Sequence, residues 1–168
     1  MDAEHARRRD LTSELRASIE GLYDAFATYP LRATVPGCPH CELERAERAL
    51  HARPLRELSW DDLGVFVFKA MTTFGEEEDF KHFLPRILEL HARKPFAAKH
   101  DVDVVFGKLN YASSERWPDA ERAAVRHFID SWTHELKAKG DQGDSPMILE
   151  ELLSALTLLE PTQRDTSS

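Results

Sequence analysis

Apolar residues recur with helical spacing along most of the chain, and this period constrains the fold more than any other feature. In the first segment the stripe consists of Leu15, Ile19, Leu22 and Phe26, which fall on one face of a helix. No convincing β-hairpin pattern is found anywhere in the sequence. The pattern therefore predicts an all-α protein, a single-domain bundle of about six to seven helices.

Capping residues, prolines and glycines predict where these helices begin and end. Pro30 ends the first helix, Ser59 and Asp62 form a capping-box pattern that begins the third, and Gly140 ends the sixth. The third helix includes a segment, 63–68, that is apolar on every side, which is typical of either a central buried helix or a strand. The cap at Ser59 and the continuation over residues 69–71 favour the helix. The expected helices after the first cover residues 39–50, 59–75, 76–93, 101–111, 118–140 and 145–159.

The length of 168 residues fits one domain, which we expect to cover residues 1–160, followed by a polar, mobile tail over residues 161–168. One internal similarity suggests a variant of the fold: LHARP at residues 50–54 recurs as LHARKP at residues 90–95. A period of about 40 residues is typical of HEAT-like solenoid packing, although two copies are fewer than such arrays need. Similar helix ends built from similar residues are the simpler interpretation.

The charge balance bears on partners and location. The net charge is −8 and the isoelectric point is near 5.5, which argues against a nucleic acid partner. No apolar run approaches the roughly 18 residues needed to cross a membrane, so no membrane partner is expected. The basic residues 7–9 are not followed by an apolar segment, so they do not form a secretory signal. A cytoplasmic protein is expected, with a protein partner that the sequence does not identify.

The two cysteines of the chain, Cys38 and Cys41, stand in one tetrapeptide with Pro39 and His40. Thiols at this spacing either bind a soft metal ion or cycle between dithiol and disulfide, because a permanent structural disulfide is disfavoured in the cytoplasm. Proline suits the first position of a helix, so Cys38 is expected to be the N-cap of the second helix. The thiols are then expected at a helix amino terminus.

Zinc binding is the first hypothesis for these thiols, and it requires further ligands to complete a tetrahedral set. Asp79 and His82 are separated by three positions and therefore share one face of the fourth helix, pointing away from its apolar stripe. A loop packed against this face would bring the four side chains together. The predicted site is a structural zinc ion bound by Cys38, Cys41 and His82, with Asp79 as the fourth ligand, in a binding or scaffold module. Taken alone, Asp79 and His82 also fit an ordinary solvated face.

Redox chemistry is the alternative hypothesis. The sequence CPHC at residues 38–41 resembles the active-site motif of periplasmic thioredoxin-fold thiol oxidoreductases. That resemblance implies that Cys38 is a nucleophile of low pKa and Cys41 the resolving thiol. It covers only four residues, and no βαβ pattern surrounds them. A helical peroxidase-type protein with a CxxC pair is the second form of this hypothesis, with His40 or His82 as the nearby histidine.

A broader pattern joins the two parts of the predicted site. GCPHC at residues 37–41, followed by DFKHFLPR at residues 79–86, resembles a pattern of uncharacterised bacterial all-helical proteins of similar size. The resemblance spans roughly residues 22 to 91 and implies no activity. It favours treating the cysteine turn and the Asp79/His82 helix as one unit. A third class of function, a protein-interaction module with inert thiols, is suggested by the apolar seventh helix.

Overall fold

The computed structural model describes residues 11–93, 102–140 and 145–160, and the predicted tail at residues 161–168 lies outside them. Within these residues the secondary structure consists of α-helices and two short 3-10 turns, without a β-strand. The helices are α1 (Ser13–Ala25), α2 (Glu44–Leu50), α3 (Trp60–Lys69), α4 (Glu77–Arg93), α5 (Val102–Tyr111), α6 (Asp119–Lys139) and α7 (Ser145–Leu158). The all-α prediction is confirmed.

The helices pack as a bundle in which partners are distant in sequence. Helix α1 packs most extensively against α6 and also contacts α4, while α7 packs against α5 and α6. In a solenoid each repeat contacts only its neighbours along the chain. The packing of α1 on α6 is therefore that of a bundle and not of a HEAT-like array. None of the helices in the described ranges is long and apolar enough to span a membrane.

The predicted stripe of α1 is buried as expected, with Leu15 and Leu22 fully inaccessible to solvent. The capping box of α3 also forms, because the Asp62 carboxylate accepts the Ser59 main-chain N–H at 2.8 Å. However, α3 ends at Lys69 and not at Gly75. The chain turns back there, and the N–H groups of the next turn, from residues 72, 73 and 74, all donate to the Lys69 carbonyl.

The predicted start of the second helix is wrong. Helix α2 begins at Glu44 with Leu43 as its N-cap, so Cys38 does not cap it and Pro39 is not its first residue. Glu42 has a φ of 47°, in the left-handed region, which interrupts any helix that begins at Pro39. The residues between Cys38 and Cys41 form a separate turn that precedes the helix.

Candidate dithiol site at the Cys38–Cys41 turn

The cysteine turn is held against the loop that follows α3. The Cys38 N–H donates to the Thr73 carbonyl at 2.8 Å, and the Gly75 N–H donates to the Pro36 carbonyl at 2.6 Å. Between these bonds, Gly37 and Phe74 form an isolated antiparallel bridge. The turn is thus positioned by main-chain hydrogen bonds to a segment more than 30 residues away in the sequence.

The two thiols belong to one hydrogen-bonded turn, since the Cys41 N–H donates to the Cys38 carbonyl at 3.1 Å. Both cysteines are free and partly exposed. The Cys41 thiol hydrogen-bonds the Cys38 sulfur, and this bond, helped by the main-chain N–H of His40, lowers the pKa of Cys38. The same bond, together with burial, raises the pKa of Cys41. The thiolate form is therefore favoured at Cys38 and disfavoured at Cys41.

Lys69 adds a positive charge to this site. Its charge lowers the pKa of both thiols. At Cys38 the Cys41 side chain and the His40 main chain lower the pKa more strongly than Lys69 does. At Cys41 the Lys69 charge opposes the influences that raise the pKa. Lys69 is the last residue of α3, where a cation also complements the helix dipole. Lys69 is not predictable from the local sequence, because nothing there connects it to cysteines that precede it by about 30 positions.

Asp79 does not lie on a solvated face, contrary to the expectation from helical spacing. Asp79 is only 2% exposed. The Arg32 guanidinium donates to both of its carboxylate oxygens, from Nε to Oδ1 at 2.8 Å and from Nη2 to Oδ2. The Glu76 N–H donates to Oδ2 as well, at 2.8 Å, so Asp79 also caps the start of α4. This bidentate pair raises the pKa of Arg32 and occupies the carboxylate.

His82 is bonded to the main chain that follows α1. Its Nδ1 lies 2.7 Å from the Tyr29 carbonyl oxygen, which can only accept, so Nδ1 carries the proton. Burial is the largest influence on this imidazole and lowers its pKa, against the opposing effects of the Tyr29 bond and Asp79. The neutral ring therefore presents Nε2 as an acceptor or ligand atom.

The structure does not assemble the predicted zinc ligands Cys38, Cys41, His82 and Asp79 into one cluster. Among the described residues, which include all four, no group of three or more His, Cys, Asp or Glu side chains is placed to hold a metal ion. The cysteines meet in their turn, while Arg32 and the Tyr29 carbonyl engage Asp79 and His82 on α4. The two halves of the predicted site are thus each engaged locally and not with each other.

Comparisons with protein-family models, with curated proteins and with solved structures find no match to this chain.

Proposed function

We propose that the Cys38–Cys41 turn is a dithiol site that exchanges with disulfides, with Cys38 as the nucleophile and Cys41 as the resolving thiol. The observation that carries this proposal is the placement of two partly exposed thiols in one turn, in which the Cys41 N–H donates to the Cys38 carbonyl at 3.1 Å. The contact between the two side chains lowers the pKa of Cys38 and raises that of Cys41, which makes the thiols chemically unequal. Thiolate is the reactive form, so the thiol of lower pKa attacks first. In the cytoplasm, the compartment expected from the sequence, the dithiol is the resting form.

The reaction follows ordinary thiol–disulfide exchange. The Cys38 thiolate attacks one sulfur of a substrate disulfide, which forms a mixed disulfide and releases the other sulfur as a thiolate. Cys41 then gives up its proton to that leaving group and attacks the Cys38 sulfur. This step releases the second substrate sulfur as a thiolate, which takes its proton from water, and leaves a Cys38–Cys41 disulfide. The substrate disulfide is reduced by two electrons and the protein dithiol is oxidised by two.

The architecture of the turn suits this cycle. The turn is fixed by main-chain bonds to Thr73 and Gly75, whose partners do not change when the sulfurs react. The Cys41 thiol that stabilises the Cys38 thiolate is also the group that must reach the Cys38 sulfur in the second step. We therefore expect the fold to persist in both the dithiol and disulfide forms.

Trapping of the mixed disulfide tests the proposal. Oxidised glutathione serves as the substrate, and mass spectrometry reports the adducts. Wild type is expected to accumulate the internal disulfide, with an intact mass lower by two hydrogens. Cys41→Ser is expected to accumulate glutathione on Cys38, because nothing resolves the adduct, whereas Cys38→Ser reacts far more slowly. Equal reactivity of the two single variants, or no internal disulfide in wild type, contradicts the proposal.

A structural zinc ion is the second candidate, and the bond from His82 to the Tyr29 carbonyl favours it. A carbonyl that accepts from one imidazole nitrogen orients the other nitrogen toward a metal, which is the usual arrangement around metal-binding histidines. This candidate requires Cys38, Cys41 and His82 to converge and, if Asp79 is the fourth ligand, Arg32 to release its carboxylate. It makes the protein a zinc-stabilised binding or scaffold module.

Elemental analysis of protein purified without added metal tests this second candidate. Stoichiometric zinc, slow alkylation of the thiols until a chelator is added, and loss of stability after chelation support it. Metal-free protein with rapidly alkylated thiols contradicts it and agrees with the exchange mechanism.

A further inference from the structure

A cavity of about 520 Å³, open to solvent, lies beside the first turn of α4. Its walls come from the loop after α3, the start of α4, the end of α5 and the 3-10 turn at Ser114–Arg116. This volume is within the range of small-molecule sites, roughly 300–1,000 Å³. The lining residues that matter for recognition are Glu76, Glu77, Lys81, Tyr111, Arg116 and Trp117.

Two of the lining residues are glutamates, Glu76 and Glu77, whose carboxylates are largely exposed. The side chains of Glu76 and Glu77 are 66% and 49% exposed. Glu76 contacts Arg32 at 3.0 Å, but that guanidinium also serves the buried Asp79. Glu77 contacts the Lys81 ammonium only at 3.5 Å. The Arg32 guanidinium is thus shared between Glu76 and Asp79. A ligand cation in the cavity would be attracted by the carboxylates of both Glu76 and Glu77.

Two basic residues, Lys81 and Arg116, line the cavity and differ in how far their charges are already paired. Lys81 is buried, and its ammonium already pairs with the Glu121 carboxylate at 2.8 Å and donates to the Tyr29 hydroxyl at 3.1 Å. Arg116 differs: its side chain is 82% exposed, and among the described residues its carboxylate contact is a long one, to Glu115 at 3.7 Å. Arg116 is therefore the group that can turn to an incoming carboxylate and form the bidentate pair that guanidinium favours.

Aromatic side chains also line the cavity. Trp117 is buried, and Lys81 lies 4.5 Å from its ring centre, so that ring already has a cation. Tyr111 is 61% exposed and lines the cavity with Met71. An exposed aromatic ring beside a methionine side chain favours contact with a planar apolar group.

We propose that this cavity binds a small zwitterion with an aromatic body, of the α-amino-acid class. Its ammonium group pairs with Glu77 and Glu76, its carboxylate pairs with Arg116, and its ring packs against Tyr111. A simple anion would face the two glutamates, and a simple cation would face Arg116. Only a ligand that carries both charges can pair with the glutamates and with Arg116. The cavity therefore selects zwitterions over simple anions and simple cations.

Calorimetric titration with L-phenylalanine and two derivatives tests this proposal. N-acetyl-L-phenylalanine lacks the ammonium, and L-phenylalanine amide lacks the carboxylate. We expect L-phenylalanine to bind and each derivative to bind at least about tenfold more weakly, since each loses a charge-assisted contact. No binding of L-phenylalanine at millimolar concentration overturns the proposal. Equal binding of all three compounds, or preference for either singly charged derivative, also overturns it.

Two charge-neutralising variants assign the contacts. In the Arg116→Gln variant, L-phenylalanine is expected to bind no more tightly than L-phenylalanine amide does. In the Glu77→Gln variant, L-phenylalanine is expected to bind no more tightly than N-acetyl-L-phenylalanine does. Both side chains are substantially exposed, so both variants should fold. Arg45→Gln, an exposed position on α2, is the matched control and should bind like wild type. Variants that bind all three compounds as wild type does contradict the assignment.

Discussion

Arg32 holds the buried carboxylate of Asp79 through two hydrogen bonds, so a residue with the spacing of a metal ligand is instead part of an ion pair between a loop and the start of α4. Asp79 is nearly inaccessible to solvent, whereas the Arg32 side chain is 35% exposed. Removing the guanidinium would leave a buried charge without its main partner. The stability of this junction therefore depends on Arg32.

Arg32→Gln is expected to lower the free energy of unfolding by about 2–4 kcal/mol, toward the lower end for a broken buried pair because Arg32 is partly exposed. Urea denaturation measures the change, and Arg45→Gln is the control, with an expected effect within about 0.5 kcal/mol. Asp79→Asn separates the two interpretations of this residue. Asp79→Asn should also destabilise the protein. Loss of bound zinc in this variant would identify Asp79 as a ligand, whereas retained zinc would identify it as an ion-pair partner alone.

The thiol hydrogen bond is expected to control how early Cys38 ionises. Cys41→Ala removes the strongest influence that lowers the pKa of Cys38, so the alkylation of Cys38 should shift to higher pH. Cys41→Ser retains a hydrogen-bond donor and should shift it less. Rates of iodoacetamide labelling across the pH range give both values. Identical profiles for the alanine and serine variants would mean that the bond does not stabilise the thiolate.

Lys69→Met provides an independent test of the electrostatics at the same site. Loss of this positive charge should raise the pKa of both thiols, with a smaller effect on Cys38 than Cys41→Ala has. Lys69→Arg restores the charge and should restore the wild-type labelling profile. An unchanged profile in the methionine variant would show that Lys69 is too distant or too well solvated to matter.

The buried imidazole of His82 predicts a loss of stability in mild acid. Burial lowers its pKa in the folded protein, so the unfolded chain binds more protons in the interval between the folded and unfolded values. The contribution of the neutral His82 ring to stability is complete above about pH 6.5, the pKa of histidine in an unfolded chain, and it decreases as the pH falls below that value. His82→Gln should remove this part of the pH dependence, whereas His134→Gln, at an exposed position of α6, should retain it. Urea denaturation at a series of pH values measures the difference.

Gly75 and Gly21 form a matched pair of glycine substitutions with opposite expected signs. Gly75 has a φ of 73°, and a Cβ there would lie 2.9 Å from a ring carbon of Phe66, so Gly75→Ala should destabilise the protein by about 2–4 kcal/mol. Gly21 lies inside α1 with nothing within 4 Å of an added Cβ. Gly21→Ala should therefore stabilise it by about 0.5–1 kcal/mol. Thermal unfolding of both variants would test the predicted difference.

Local patterns in the sequence were sufficient to predict that the helices exist, although not where α2 begins or where α3 ends. The apolar stripe of α1 and the capping box at Ser59 act within a few positions of the chain, so they can be recognised without the rest of the protein. The start of α2 was missed for a different reason. The backbone of Glu42 adopts a left-handed conformation, and the turn before it is bonded to Thr73, a contact that local spacing does not reveal.

The candidate site was predicted only in part for the same reason. The proximity of Cys38 and Cys41 follows from their spacing, and the structure contains it. The surroundings of Asp79 do not follow from spacing, because Arg32 lies 47 positions earlier in a loop without a distinguishing motif. A carboxylate at a polar helix position is indistinguishable in sequence from one that a distant guanidinium brings into the interior.

The ion pair between Lys81 and Glu121 also constrains the axial position of α6, because it joins the start of α6 to the start of α4. Both side chains are buried, and their contact of 2.8 Å joins residues 40 positions apart. The apolar contacts of α6 with α1 could form at several axial offsets, but sliding α6 by one helical turn, about 5.4 Å, would separate this pair. Each charge would then remain in the interior without its partner, at a cost of several kcal/mol. The pair thus excludes shifted packings of the bundle that hydrophobic contacts alone would tolerate.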